Sequence, residues 1–151
     1  MSTRKRYDVV VTPDLLSRLR QREWRLTPQR RVVAEVLAGE HIHLTAEQVH
    51  DRAQRRLPEI SRATVYNTLN ELVAVGEVAE VDVTDGPKRY DPNIAPAHDH
   101  LVCESCHTIR DVPRAGDPPT VSKGARAGFV ITGVDITYRG LCPGCAGRHT
   151  R

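Results

Sequence analysis

Apolar residues in the first half of the chain recur at helical spacing. Leu15, Leu16 and Leu19 share one face of a first helix that Pro13 opens, with Trp24 near its end. Thr27-Pro28 starts a second helix: threonine accepts from a free first-turn N–H, and proline has no N–H to leave unpaired. Val32, Val33, Val36 and Leu37 line its inner face as far as Gly39. Thr45-Ala46-Glu47-Gln48 is a capping box, opening a helix that buries Ala46, Val49, Ala53 and Leu57 and stops at Pro58. A fourth helix runs from a Ser61 cap to Gly76, with Val65, Leu69, Leu72 and Val73 facing inward. The pattern then shortens. Val78, Val81 and Val83 precede Asp85-Gly86, and Lys88-Arg89-Tyr90 follow it, which predicts a β-hairpin. Helices followed by a hairpin are the order of a winged helix-turn-helix, placed here at residues 1–92 with 1–12 as a flexible basic lead.

Pro96 and its small neighbours make 93–97 a hinge, and 98–151 a second unit. There Leu101-Val102, 109–112 and the alternating stretch 130–138 predict strands. The fold class is α+β: an N-terminal winged helix and a C-terminal α/β unit. Only 4% of the 151 residues are aromatic, so Val, Leu, Ile and Ala must build the cores. No apolar run reaches the ~20 residues of a membrane span, and the first residues lack the apolar stretch of a signal peptide. The expected location is the cytoplasm.

A reducing cytoplasm disfavours disulfides, so Cys103-x-x-Cys106 and Cys142-x-x-Cys145 point to one tetrahedral S₄ site. Zn²⁺ is its default occupant, and a closed shell of four thiolates is structural. His98 and His100 project from one face of a strand while Asp99 faces away. With His43, Asp91 and Asp111 they make three imidazoles and two carboxylates, a set suited to Fe²⁺ or Mn²⁺. By spacing alone, a solvated histidine pair fits His98 and His100 equally well. His50, His107 and His149 are expected to be exposed and unliganded, and His41 to yield to His43 as ligand.

The formal charge is +3, and residues 1–62 carry most of the basic surplus. Polar side chains gather at the start of the fourth helix: Ser61, Arg62, Thr64, Tyr66 and Asn67. A recognition helix presents this end to base edges, where arginine reads guanine or phosphate and asparagine reads adenine. An amphipathic helix with an ordinary polar face has the same pattern.

Taken together, Arg25-Leu-Thr-Pro-Gln-Arg30, His43-Leu-Thr-Ala-Glu47, Ser61-Arg-Ala-Thr-Val-Tyr66, Lys88-Arg-Tyr-Asp91, His98-Asp-His-Leu-Val-Cys103 and the final C-x-x-C resemble the Fur family of bacterial metalloregulators. Within that family, Asp91 and Asp111 in place of Glu, and the run Val65-Tyr66-Asn67, resemble the peroxide-sensing PerR branch, including actinobacterial catalase repressors. The resemblance implies a homodimeric repressor of peroxide-defence genes that binds palindromic double-stranded operator DNA and is not an enzyme. It implies structural zinc on the four cysteines, and regulatory Fe²⁺ or Mn²⁺ on His43, Asp91, His98, His100 and Asp111. In the Fe²⁺ form, His43 and His98 match the positions oxidised by H₂O₂. Arg25 and Arg30 join the fourth helix as DNA-contact candidates.

Two departures stand out. Ala97 and Gly133 or Val134 occupy places where many family members carry histidines, so no complete second regulatory site is expected. The segment 115–128, usually a helix, has two prolines and several glycines, which would make that helix short. The competing readings are a regulator of iron, manganese or other metal supply, a zinc hydrolase, a zinc-stabilised interaction module, and cysteine-based redox sensing. The hydrolase lacks a convincing base or nucleophile.

Overall fold

The computed structural model describes residues 13–39, 42–83 and 85–149, with the side chain of His149 left out. The basic lead at 1–12 and the competing ligand His41 lie outside them.

Four helices come first: α1 (Leu15–Gln21), α2 (Pro28–Leu37), α3 (Ala46–Gln54) and α4 (Arg62–Ala74). Each begins where a side-chain oxygen takes up a first-turn N–H: Asp14 from Ser17, Thr27 from Arg30, Thr45 from Gln48 and Ser61 from Thr64. The Thr45–Gln48 pair closes in both directions, as the capping box requires. Past α4, Gly76 takes φ +74°, a left-handed conformation that suits a residue without Cβ at a helix end. The chain then forms the hairpin β1 (Ala79–Val81) and β2 (Arg89–Asp91), in antiparallel register Ala79↔Asp91.

One apolar cluster unites these elements, from Leu15 and Leu19 through Val33, Leu37, Val49, Val65, Leu69 and Leu72 to Val78 and Tyr90. Leu57 and Val73, expected in the core, are half-buried at its margin. An isolated bridge from Leu44 to Tyr90 ties the start of the third helical segment to the hairpin, with Tyr90 N–H donating to the Leu44 carbonyl at 2.9 Å.

A second sheet follows: β3 (His98–Cys103), β4 (Ile109–Pro113) and β5 (Thr137–Gly140), in spatial order β4-β3-β5. β3 pairs antiparallel with β4 and parallel with β5. A last helix, α5 (Pro143–His149), carries Cys145. Among the described residues of this unit, Val102, Cys103 and Cys145 are the buried apolar ones. A core that small needs a covalent or metal staple to hold it.

Two expectations fail here. The alternating stretch 130–138 is a strand only from Thr137, because Phe129 and Val130 (79% and 87% exposed) find no sheet or core in the single chain to cover them. The segment 115–128 holds no α-helix at all, consistent with the helix-breaking cost of its prolines and glycines. No helix among the described residues is long and apolar enough to cross a membrane.

Candidate metal centres and nucleic-acid surface

The four cysteine sulfurs lie within 4.8 Å of one another. Cys103 ends β3, Cys106 sits in the β3–β4 turn, and Cys142 and Cys145 flank the start of α5. Cys106 Sγ and Cys142 Sγ are 3.7 Å apart. Four thiolates at ~2.3 Å around a tetrahedral ion stand about 3.8 Å apart, so the spacing fits Zn²⁺. The backbone N–H of Cys142 donates to Cys103 Sγ at 3.3 Å, and Arg148 Nη2 donates to Cys145 Sγ at 3.3 Å. Backbone N–H groups, chiefly that of Cys142, lower the Cys103 thiol toward the thiolate. At Cys142 the N–H of Cys145 acts in the same sense, but the neighbouring sulfurs outweigh it and raise the thiol. Four thiolates therefore need a cation among them.

The second cluster joins the two halves of the chain. His43 precedes α3, Asp91 ends β2, His98 and His100 lie on β3, and Asp111 is paired with His100 on β4. All three Nε2 atoms approach the same two carboxylate oxygens, but only His43, Asp91, His100 and Asp111 bring their ligand atoms within 4.8 Å of one another, and His98 stands outside that group. Asp91 Oδ2 is 3.5, 2.9 and 2.9 Å from His43, His98 and His100, and Asp111 Oδ1 is 2.7, 3.6 and 3.5 Å from them. Adjacent donors at ~2.1 Å from one ion would be about 3 Å apart. The Leu44–Tyr90 bridge places His43 beside Asp91, so the Nε2 of His43 is buried here.

The tautomer decides what this cluster suits. His98 Nδ1 is 3.1 Å from the Pro96 carbonyl, an acceptor, and must carry the proton of that contact. In neutral imidazole, the Nε2 lone pair of His98 then points at a carboxylate oxygen, and two acceptors repel unless a cation lies between them. This is the second-sphere arrangement typical of a metal-ligating histidine. His43 Nε2 likewise lacks an aligned hydrogen bond despite its 2.7 Å approach to Asp111. Burial would raise the Asp91 carboxyl; the surrounding imidazoles of His100, His43 and His98 and the backbone N–H of Asn93 outweigh it and hold the group well below the usual carboxylate range.

Several positioning residues carry no signal in the sequence. Asn93 donates its backbone N–H to Asp91 Oδ1 at 2.8 Å and its side-chain amide to Asp111 Oδ2 at 3.3 Å, so one residue orients both carboxylates. Arg18 donates to Glu77 at 2.6 Å and to the Pro92 carbonyl at 2.8 Å, and Arg22 also pairs with buried Glu77. Together they tie α1 to the end of the β-hairpin segment at Pro92. Asp99 faces away from the cluster and pairs with Arg114 at 2.8 Å. Two histidines depart from expectation. His50 is buried, its Nε2 3.2 Å from the Ile60 carbonyl, because α3 turns that position into the core. His107 is half-buried, its turn at φ +58° folding the ring inward.

On the outer face of α4, Ser61, Arg62, Tyr66 and Asn67 are exposed and Thr64 is half-buried. Among the described residues Arg62 makes only an exposed contact with Glu47, at 3.2 Å, so little there holds it back from another partner. Arg25 is exposed as well. Arg30 is half-buried: it lies 4.6 Å from the Trp24 ring centroid and pairs with Glu71 of α4. Its place is to brace α2 against α4.

The sequence model of the ferric uptake regulator family matches residues 21–138. The transcriptional regulator FurA of Mycobacterium tuberculosis is 33% identical over 135 residues, covering 89% of this chain and 91% of that protein. The peroxide-responsive repressor PerR of Staphylococcus aureus is 32% identical over 135 residues, covering 86% of this chain and 88% of its own length. The Campylobacter jejuni peroxide stress regulator superimposes with a TM-score of 0.61 at 27% identity, covering 88% of this chain and 100% of that one.

Proposed function

The chain belongs to the ferric uptake regulator family and is a metal-responsive transcriptional regulator, not an enzyme; we propose that it is a cytoplasmic, homodimeric repressor of peroxide-defence genes, locked on DNA by one divalent ion and released by H₂O₂. The observation that carries this reading is the cluster of His43, Asp91, His98, His100 and Asp111, which spans both halves of the fold.

Residues 1–92 form the DNA-binding domain, 93–97 the hinge, and 98–151 the dimerisation and sensing domain. Cys103, Cys106, Cys142 and Cys145 hold structural Zn²⁺. His43, Asp91, His98, His100 and Asp111 hold Fe²⁺ or Mn²⁺ and thereby fix the helical domain against the sheet. In a two-fold dimer that orientation sets the distance between the two α4 helices, and only the matching spacing engages both halves of a palindromic operator. Ser61, Arg62, Thr64, Tyr66 and Asn67 meet the DNA from α4. Arg25 reaches the backbone, and Arg30 holds α2 and α4 in register. Exposed Phe129, Val130 and Ile131 supply apolar surface for the dimer.

Fe²⁺, when bound, supplies the reducing electrons that cleave the O–O bond of H₂O₂. His43 and His98 are the rings exposed to that oxidation. A ring that gains oxygen loses its original lone-pair geometry, and the link between the domains goes with it. The near-equal likeness to FurA supports a second reading, a regulator of metal homeostasis that answers to metal supply alone.

Operator binding by Fe²⁺- and Mn²⁺-loaded protein, before and after a low dose of H₂O₂, separates the two. Loss of binding in the Fe²⁺ form only, with one oxygen atom gained on the His43 or His98 peptide by mass spectrometry, is the expected result. Binding retained by both forms overturns peroxide sensing and leaves metal supply as the signal.

A further inference from the structure

A cleft of about 390 Å³ opens between the helical half of the chain and the cysteine turn. Gln48 and Arg52 of α3, His43 and Arg89 line one side, and His107 and Thr108 lie on the other. That volume falls within the range of small-molecule sites, about 300–1,000 Å³. Two arginines line it and no aspartate or glutamate among the described residues does; its one acidic group is the Cys106 thiol.

The Arg89 guanidinium is held in place. Its Nη1 donates to Gln48 Oε1 at 3.2 Å and lies 3.5 Å from the His43 carbonyl. Its Nε is buried and has no hydrogen-bond partner among the described residues. The Nδ1 of His107, across the cleft, is buried and unpartnered in the same way. Buried donors are satisfied in the great majority of folded proteins, so the orphan Nε–H of an arginine that lines this cleft favours an acceptor beside it. The planar fork of arginine matches the paired oxygens of phosphate and carboxylate groups.

We propose that this cleft binds a small oxyanion, a phosphate or a carboxylate, held by Arg89 and Arg52 with His107 and Thr108 opposite. Such an anion touches the helical half through α3 and β2, and the sheet half through the β3–β4 turn. It spans the same two parts of the fold as the His/Asp cluster and favours the same mutual orientation. Its binding goes beyond the metal reading and does not depend on it.

The test uses the full-length, zinc-loaded chain without DNA or added Fe²⁺ or Mn²⁺. Inorganic phosphate and, in a second arm, succinate are titrated at constant ionic strength against chloride, with binding followed by calorimetry and amide NMR shifts. Saturable one-to-one binding is expected in at least one arm, and the arm that responds identifies the anion class. Arg89→Gln and the exposed Arg52→Gln are each expected to weaken it about tenfold. Arg52→Gln keeps the test decisive should Arg89→Gln disturb the fold. No saturable binding in either arm, or equal binding by Arg52→Gln and the unaltered chain, overturns the proposal. So does a fall in operator affinity for Arg52→Gln when the free chain binds neither anion, since the arginines would then serve DNA phosphates.

Discussion

The two ligand clusters differ in where their residues come from. All four cysteines belong to one end of the C-terminal sheet and the helix after it, so whatever they hold staples a unit to itself. The His/Asp cluster takes His43 and Asp91 from the helical half and the other three from the sheet. An ion there would join two bodies. Chemistry follows the same division: thiolates make a closed, soft shell, and imidazoles with carboxylates make one that exchanges borderline ions. A metal on the first would therefore persist, and one on the second would exchange.

Breaking the first should have the largest effect. Cys142→Ser is expected to abolish zinc retention and to remove the cooperative thermal transition of the C-terminal unit, because three thiolates cannot replace the missing core. Metal analysis and calorimetry on one sample would show both losses. Retention of zinc and of the transition would mean that the sheet stands without its staple.

Asp91→Asn attacks the second cluster alone. Asp91 meets three imidazoles and is fully buried. Mn²⁺ affinity should fall by at least about 100-fold while zinc content stays unchanged. Parallel loss of both metals would show that the two clusters are one structural unit. A gentler probe is Asn93→Ala, which leaves every proposed ligand in place and removes the amide that reaches Asp111. About a tenfold loss of Mn²⁺ affinity is expected, with Fe²⁺-dependent histidine oxidation still occurring at saturating metal.

The smallest effect concerns the element that carries His43. Thr45→Ala removes the cap of α3 and should cost about 1 kcal/mol, or roughly 4 °C in the melting temperature of the helical half. Chemical and thermal denaturation would measure it. A much larger loss would indicate that the capping box also fixes the position of His43.

Much of this was legible in the sequence. Three helix starts were, because a cap at Thr27, Thr45 or Ser61 acts within one turn and needs no distant partner; for the first helix Pro13 marked the place but the cap is Asp14. The paired C-x-x-C spacing was as well, since each turn is local. The roles of Asn93, Arg18 and Glu77 were not: their partners lie up to 74 residues away, and nothing in their local pattern sets them apart. His50 shows the opposite failure. Its polarity suggested exposure, but the inner face of α3 and the Ile60 carbonyl gave it a buried place. The stretch 130–138 alternated without a partner strand for most of its length, and alternation alone does not make a ladder.

The central claim is that one ion, held across the two halves, sets the DNA-binding shape. Operator affinity of the zinc-loaded chain titrated with Mn²⁺, beside His43→Ala under the same conditions, tests it most directly. The account predicts affinity that rises with Mn²⁺ in the unaltered chain and stays flat and weak in His43→Ala, with zinc content equal in both. Operator affinity independent of Mn²⁺ in the unaltered chain, or equally Mn²⁺-dependent in the variant, would contradict it.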